Sequence, residues 1–134
     1  MKTINWKLIT GLSLIGLVIA LATTYGLITM RAEQIVWIVV LMFNAFVVAK
    51  ICSGKYFLHD LLVSLANCVW ITGIHFILMD TYISHNPDYL EMLHQLPMPE
   101  RPRLMALMMG PLIGLVFGIV QGLIALGFSK VLKK

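Results

Sequence analysis

Charge is confined to a few points along this chain, and long apolar stretches run between them. No Asp, Glu, Lys or Arg falls between Lys7 and Arg31, between Asp60 and Asp80, or between Arg103 and Lys130. At about 1.5 Å of rise per residue, a helix through each run can cross a hydrocarbon layer of about 30 Å. A shorter run, Gln34 to Ala49, is rich in Val, Ile and Phe and ends at Lys50, whose ammonium can reach the interface on its aliphatic stem. The pattern predicts an all-α integral membrane protein, one membrane domain over residues 1–134 folded as a four-helix transmembrane bundle. Its spans are expected at about 8–30, 34–53, 60–80 and 104–129, with an extracytoplasmic loop over about 81–103.

Four spans bring both termini to one side of the bilayer. Lys2, Lys7, Lys50, Lys55, Lys130, Lys133 and Lys134 flank that side, against Arg31, Arg101 and Arg103 on the other. The excess of basic residues predicts a multi-pass protein of the cytoplasmic (inner) membrane with both termini cytoplasmic. Trp6, Tyr25, Trp37, Tyr56 and Tyr82 all fall near span ends, where amphipathic rings sit. The opening MKTINWK, an apolar run and Ala20-Leu21-Ala22 also resemble a cleavable signal peptide, which would leave three spans. The apolar stretch continues to Met30, further than a signal segment needs, so it is read as a span.

Between spans one and two the sequence predicts a tight outer turn at Arg31-Ala32-Glu33. In the outer loop, Asn86 suits an N-cap, Pro87 the first helical position and Asp88 the positive end of the helix dipole. A short surface helix is therefore expected over about 87–96, with Tyr89, Leu90, Leu93 and Leu96 on one face. Pro97, Pro99 and Pro102 favour an extended, polyproline-like return to the membrane. Pro111 leaves two options for the last span: it begins there after a separate interfacial turn, or it is kinked there.

Composition adds little beyond this. Charged residues are only 12% of the chain, and the formal net charge of +4 is accounted for by the lysines at the span ends. No basic stripe remains for nucleic acid, so the lipid bilayer is the expected partner. Cys52 and Cys68 lie where oxidation is not expected, and no disulfide is predicted.

Glycine recurs every fourth position in the last span, at Gly110, Gly114, Gly118 and Gly122, giving a glycine zipper of three overlapping GxxxG units. In lipid, apolar side chains gain little by leaving the tails for each other, so such a groove serves close helix approach. Gly16, Ala20 and Thr24 give span one a milder surface of the same spacing. The two surfaces can meet within one chain, or the glycine face can meet another copy or another membrane subunit.

Intramembrane polar groups are the first place to seek function. On span three, Asp60, Ser64, Asn67 and His75 fall on one helical face, with Cys68 and Thr72 beside it; other spans supply Thr23, Thr24, Asn44 and Gln121. The stripe could carry protons or ions. A purely structural role, in which Asn44, Asn67 and Gln121 bond across helices and His75 bonds a carbonyl or Asp80, is favoured because no carboxylate lies deep in any span. His75, Asp80, His85, Glu91 and His94 are candidate metal ligands of low specificity, followed by a run of methionines. No nucleophile, zinc or phosphate-loop motif occurs and no cofactor is implied, so an enzyme is the weaker expectation. The leading expectation is a non-enzymatic protein acting through helix assembly, as a homo-oligomer or accessory subunit. The alternative is a small transporter or channel for a metal cation or protons, using the polar face of span three.

Overall fold

The computed structural model describes residues 3–132. Lys2, Lys133 and Lys134, which enter the orientation argument, lie outside the described residues. In chain order the helices are α1 (Trp6–Thr24), α2 (Met30–Ile51), α3 (Tyr56–Ile77), α4 (Met79–His85), α5 (Pro87–Leu93) and α6 (Pro102–Leu132). Among the described residues there is no strand. Four of the helices, α1, α2, α3 and α6, are long and apolar enough to cross a membrane.

The helix ends have local causes. Asn5 caps α1, its Oδ1 accepting from the Leu8 N–H at 3.1 Å. The far end of α1 comes at Thr24, short of the expected Met30, although Tyr25, Leu27 and Ile28 keep the run apolar. Gly26 stops the helix: its φ of 70 is left-handed, the Leu27 N–H returns to the Ala22 carbonyl at 2.8 Å and the Gly26 N–H to Thr23 at 3.1 Å. This pair of bonds satisfies carbonyls that the last turn would otherwise leave open. Thr29 then caps α2, its hydroxyl accepting from Ala32 N at 3.3 Å, so Arg31, Ala32 and Glu33 form the first turn of a helix and not the tight turn expected from sequence.

At the other end of the molecule, Lys55 adopts φ 53 ahead of α3. His59 ties α3 to α1: its Nε2 accepts from the Asn5 N–H at 3.0 Å, so its Nδ1 carries the proton and donates to the Lys55 carbonyl at 2.8 Å. The loop between α3 and α6 holds two short helices. The expected surface helix is α5, ending at Leu93, and α4 precedes it unforeseen. The proline-rich return is turned and not extended, with the Arg101 N–H donating to the Met98 carbonyl at 3.1 Å and Pro102 opening α6. Of the two options for Pro111, a span that begins there does not hold: α6 runs from Pro102 through it to Leu132, with the proline inside the helix. Pro111 is exposed.

α3 lies at the centre of the packing, with α6 against one side and α1 against the other; α2 packs chiefly on α6 and touches α1 and α3 little. Asn5, the Cys52–Lys55 connection and Leu132 gather at one end, the terminal end, while Gly26, α4 and α5 form the loop end. At the terminal end Ile9, Leu12, Ala45, Val48, Cys52, Val63 and Ala125 make one apolar cluster. Ala45 and Ala125 are wholly buried there, and such small side chains let helix backbones approach closely. The buried residues of α2 are Leu41, Asn44, Ala45, Val48 and Ala49, all in its second half. From Met30 to Val40 nothing on α2 is buried, and a cleft opens there.

Candidate functional site

The four zipper glycines of α6, Gly110, Gly114, Gly118 and Gly122, meet α3. A Cβ built at Gly114 would lie 2.6 Å from the Cys68 Cβ, at Gly118 2.7 Å from Leu61 Cδ1, and at Gly122 2.7 Å from Phe57 Cδ2; at Gly110 it would collide with the Thr72 hydroxyl. Ser64 donates its hydroxyl to the Gly114 carbonyl at 3.0 Å in the same seam. The pairing of the span-one and span-four surfaces expected from sequence does not form. Gly16 instead meets Asn67 of α3, whose Oδ1 accepts from the Gly16 N–H at 3.0 Å, and Ala20 is buried one turn further on. Each small-residue series therefore seats one side of α3, and the glycine groove is filled from within the chain.

The polar stripe of α3 divides between these two seams. Asn67 and His75 turn to α1, with His75 Nε2 lying 3.2 Å from Thr23 Oγ1. Ser64 and Asp60 turn to α6, where the Gln121 amide donates to the Asp60 carboxylate and to its carbonyl. Asp60 is wholly buried, and its Oδ2 has no partner. Asn44 is also wholly buried, and neither its amide oxygen nor its nitrogen finds a partner. Of the two partners expected for His75, the structure gives a carbonyl, that of Ala20, and not Asp80, which pairs with Arg103 at 2.8 Å; His75 also stacks on Tyr82 with ring centroids 4.1 Å apart.

The metal candidates are not brought together. His85 bonds the Thr81 carbonyl locally at 2.9 Å, Glu91 and His94 are exposed, and Asp80 is held by Arg103. Among the described residues no three His, Cys, Asp or Glu side chains could hold one ion. Neither Cys52 nor Cys68 is in a disulfide.

The cleft beside the loop-end half of α2 encloses about 690 Å³, within the range of small-molecule sites. Ile38, Leu41, Ile71, Ile113 and Phe117 supply apolar walls, and Ser64, Asn67 and Thr72 from α3 supply polar points along its back. Its terminal end stops at Gln121, the side chain that holds Asp60. Its loop end is roofed by Tyr82, Tyr89 and Met92. Tyr89 meets Tyr82 edge-on at 4.9 Å, so His75, Tyr82 and Tyr89 form a continuous ladder of rings. Burial, then the Glu33 charge, then Tyr89 hold the Tyr82 phenol protonated well above the ordinary tyrosine range, and burial raises Tyr89 in the same direction. Glu33 lines the cleft with its Oε1 accepting from Trp37 Nε1 at 3.2 Å. Ile38 and Phe117 line the cleft yet are 62% and 47% exposed, so the cleft is open on its side as well as partly roofed.

Sequence reasoning assigned Glu33 to a turn and Trp37 to an interface belt. Their spacing of one helical turn was the signal available, since residues four apart share a helix face. Tyr82 and Tyr89 come to the cleft only through the fold of the loop, which no local pattern announces.

These features define an all-helical chain with four helices long and apolar enough to cross a membrane, suggesting a membrane protein, and with a sizeable side-opening cleft. Comparison with known proteins adds no kinship: no family model, curated protein or solved structure matches the chain.

Proposed function

We propose that this chain is a non-enzymatic, multi-pass protein of the cytoplasmic membrane. Its four long helices form a transmembrane bundle with both termini on the cytoplasmic side, and it holds an amphiphilic molecule drawn from the bilayer in the side-opening cleft. Lys7, Lys50, Lys55 and Lys130 at the terminal end, against Arg31, Arg101 and Arg103 at the loop end, support the orientation. The observation that carries the function is the cleft itself: apolar walls continuous with the lipid-facing surface, a polar and aromatic roof, and a volume suited to a small molecule. A docked helix about 10 Å across would fill that volume in about six residues, too short a segment for a partner helix. Assembly with a second copy or another subunit is a lesser proposal. It would need a surface other than the glycine face, which α3 already covers.

The test is native mass spectrometry of the protein released from its own membrane, alongside Ile113→Trp, which fills the cleft from an exposed position. A bound small molecule on the native chain that Ile113→Trp lacks is the expected result. An unliganded native chain, or equal occupancy in both, overturns the proposal.

A second reading, transport, is favoured by one observation: the cleft ends at Gln121, which bonds a buried carboxylate with one oxygen unpartnered. On that reading Asp60 carries a proton as the ligand moves. Asp60→Asn should then stop flux into liposomes while binding persists; undiminished flux would exclude it.

A further inference from the structure

The cleft reading leaves open what chemistry the ligand presents, and the roof of the cleft constrains it. Of the residues that line the cleft, Glu33 is the one that carries a formal charge, and no Lys or Arg is among them. The carboxylate is half-buried, and its hydrogen bond within the chain, from Trp37, is to a neutral group. Among the described residues the ion pair present is Arg103 with Asp80, so Glu33 has no cationic partner among them. A carboxylate set into an apolar cleft without a counter-charge is costly unless something positive joins it.

Three aromatic rings, those of Trp37, Tyr82 and Tyr89, line the same cleft. Trp37 holds the carboxylate directly, and Tyr82 lies near enough for the Glu33 charge to act on its phenol. Tyr89 packs edge-on against Tyr82 and completes the roof. Ring faces attract cations through their quadrupoles, and a diffuse cation with an organic shell suits such rings better than a small hydrated ion. Anions are disfavoured by the same groups. A hydrated metal ion also lacks its ligands here, since no three metal-binding side chains gather.

Resting on the proposal that the cleft is a ligand site, we infer that its occupant is a lipophilic organic cation. Its positive head sits between the Glu33 carboxylate and the rings of Trp37, Tyr82 and Tyr89, and its apolar body lies along Ile71, Ile113 and neighbouring walls. The side opening at Ile38 and Phe117 admits such a molecule from the hydrocarbon, where lipophilic cations partition.

The experiment uses the full chain in phosphatidylcholine nanodiscs and two probes of nearly the same shape and opposite charge, tetraphenylphosphonium and tetraphenylborate, with n-dodecanol as a neutral probe. Equilibrium dialysis against empty nanodiscs corrects for partitioning into lipid. Tetraphenylphosphonium should bind saturably at one per chain and tetraphenylborate should not. Glu33→Gln should weaken the cation by about tenfold or more, as loss of a partly desolvated charge partner predicts, while leaving n-dodecanol binding unchanged. Tyr82→Phe keeps the ring and should cost little, whereas Tyr82→Leu should weaken the cation. Equal binding of both ions, or a Glu33→Gln chain that binds the cation as before, overturns the cation inference with the cleft intact. If no probe binds, or Ile113→Trp changes none of the binding, the cleft reading itself fails. Helical circular dichroism of each variant guards against counting a misfolded chain as a loss of binding.

Discussion

Gly114→Ala is the sharpest perturbation of the packing. The added methyl would lie 2.6 Å from the Cys68 Cβ and 3.0 Å from its Sγ, and the first of these is an atom that no rotamer change can move. Ordinary contact begins near 3.4 Å, so the seam must open by about 0.8 Å, the difference between those two distances. That opening also stretches the Ser64 hydroxyl bond to the Gly114 carbonyl, now 3.0 Å. Overpacking of this kind costs about 1–3 kcal/mol, against which alanine returns up to about 1 kcal/mol of helix propensity. Net destabilisation of about 1–2 kcal/mol follows. Gly127 lies in the same helix, and a Cβ there would meet nothing within 4 Å. Gly127→Ala should therefore be neutral or stabilising by up to about 1 kcal/mol. The two variants are to be compared by reversible unfolding in mixed lipid–detergent micelles, with copy number followed by native mass spectrometry. Cys68→Gly removes the obstructing Cβ, so it should recover part of the loss in a double-mutant cycle. Equal effects of the two alanines would refute this account of the seam. So would a Gly114→Ala chain whose copy number falls while the stability of the single chain is unchanged, since that would make the glycine face an interface between copies.

Three further outcomes follow from the interior. Asn44→Leu should stabilise the protein by about 1–3 kcal/mol in the same unfolding assay, because the amide is wholly buried with both polar atoms unpartnered; destabilisation would mean that the amide has work the packing does not reveal. Gln121→Leu should destabilise by about 2 kcal/mol or more, since it removes the donor to Asp60 and leaves the carboxyl unsatisfied, and Asp60→Leu in the same chain should recover part of the loss. Tyr82 and Tyr89 both have folded pKa values raised above the ordinary 10.0, so the folded state keeps protons that the unfolded chain loses. Stability from this source is intact below about pH 10 and falls as pH rises from there toward the folded values. A phenolate absorbance titration should show late-ionising tyrosine that Tyr82→Phe and Tyr89→Phe remove; an unchanged titration would refute the burial of these rings.

Long apolar runs were legible because charge is so costly in hydrocarbon that its absence marks a candidate span directly, as between Arg103 and Lys130. Helix ends were less so. Tyr25 to Ile28 is apolar enough to extend α1, and the stop at Thr24 depends on one left-handed glycine, Gly26, whose neighbours give little warning. The glycine spacing announced a tight seam and the helix that carries it, but spacing within one helix cannot name the partner. That choice rests on the matching profile of Phe57, Leu61, Cys68 and Thr72 across the gap. Periodicity likewise put Asp60, Ser64, Asn67 and His75 on one face. An arc that wide borders two neighbours at once, so the stripe divides between α1 and α6. The cleft was least legible of all, since Glu33 and Trp37 of α2 come to line one cleft with Tyr82 and Tyr89 only through the fold of the loop.

The order of helices in the chain differs from their order in space, and this sets a timetable for synthesis. α2 is the second long helix to leave the ribosome, yet its main partner is α6, the last. α1 and α3 can join as soon as α3 emerges, with Asn67 reaching Gly16 and His59 reaching Asn5. Until α6 arrives, α2 lacks its main partner, and the Asp60 carboxylate and the Ser64 hydroxyl lack Gln121 and Gly114. On the proposed placement in the bilayer, a nascent chain without its final segment exposes a carboxylate and a hydroxyl to hydrocarbon, a mark by which membrane proteases and chaperones would tell an unfinished molecule from a finished one.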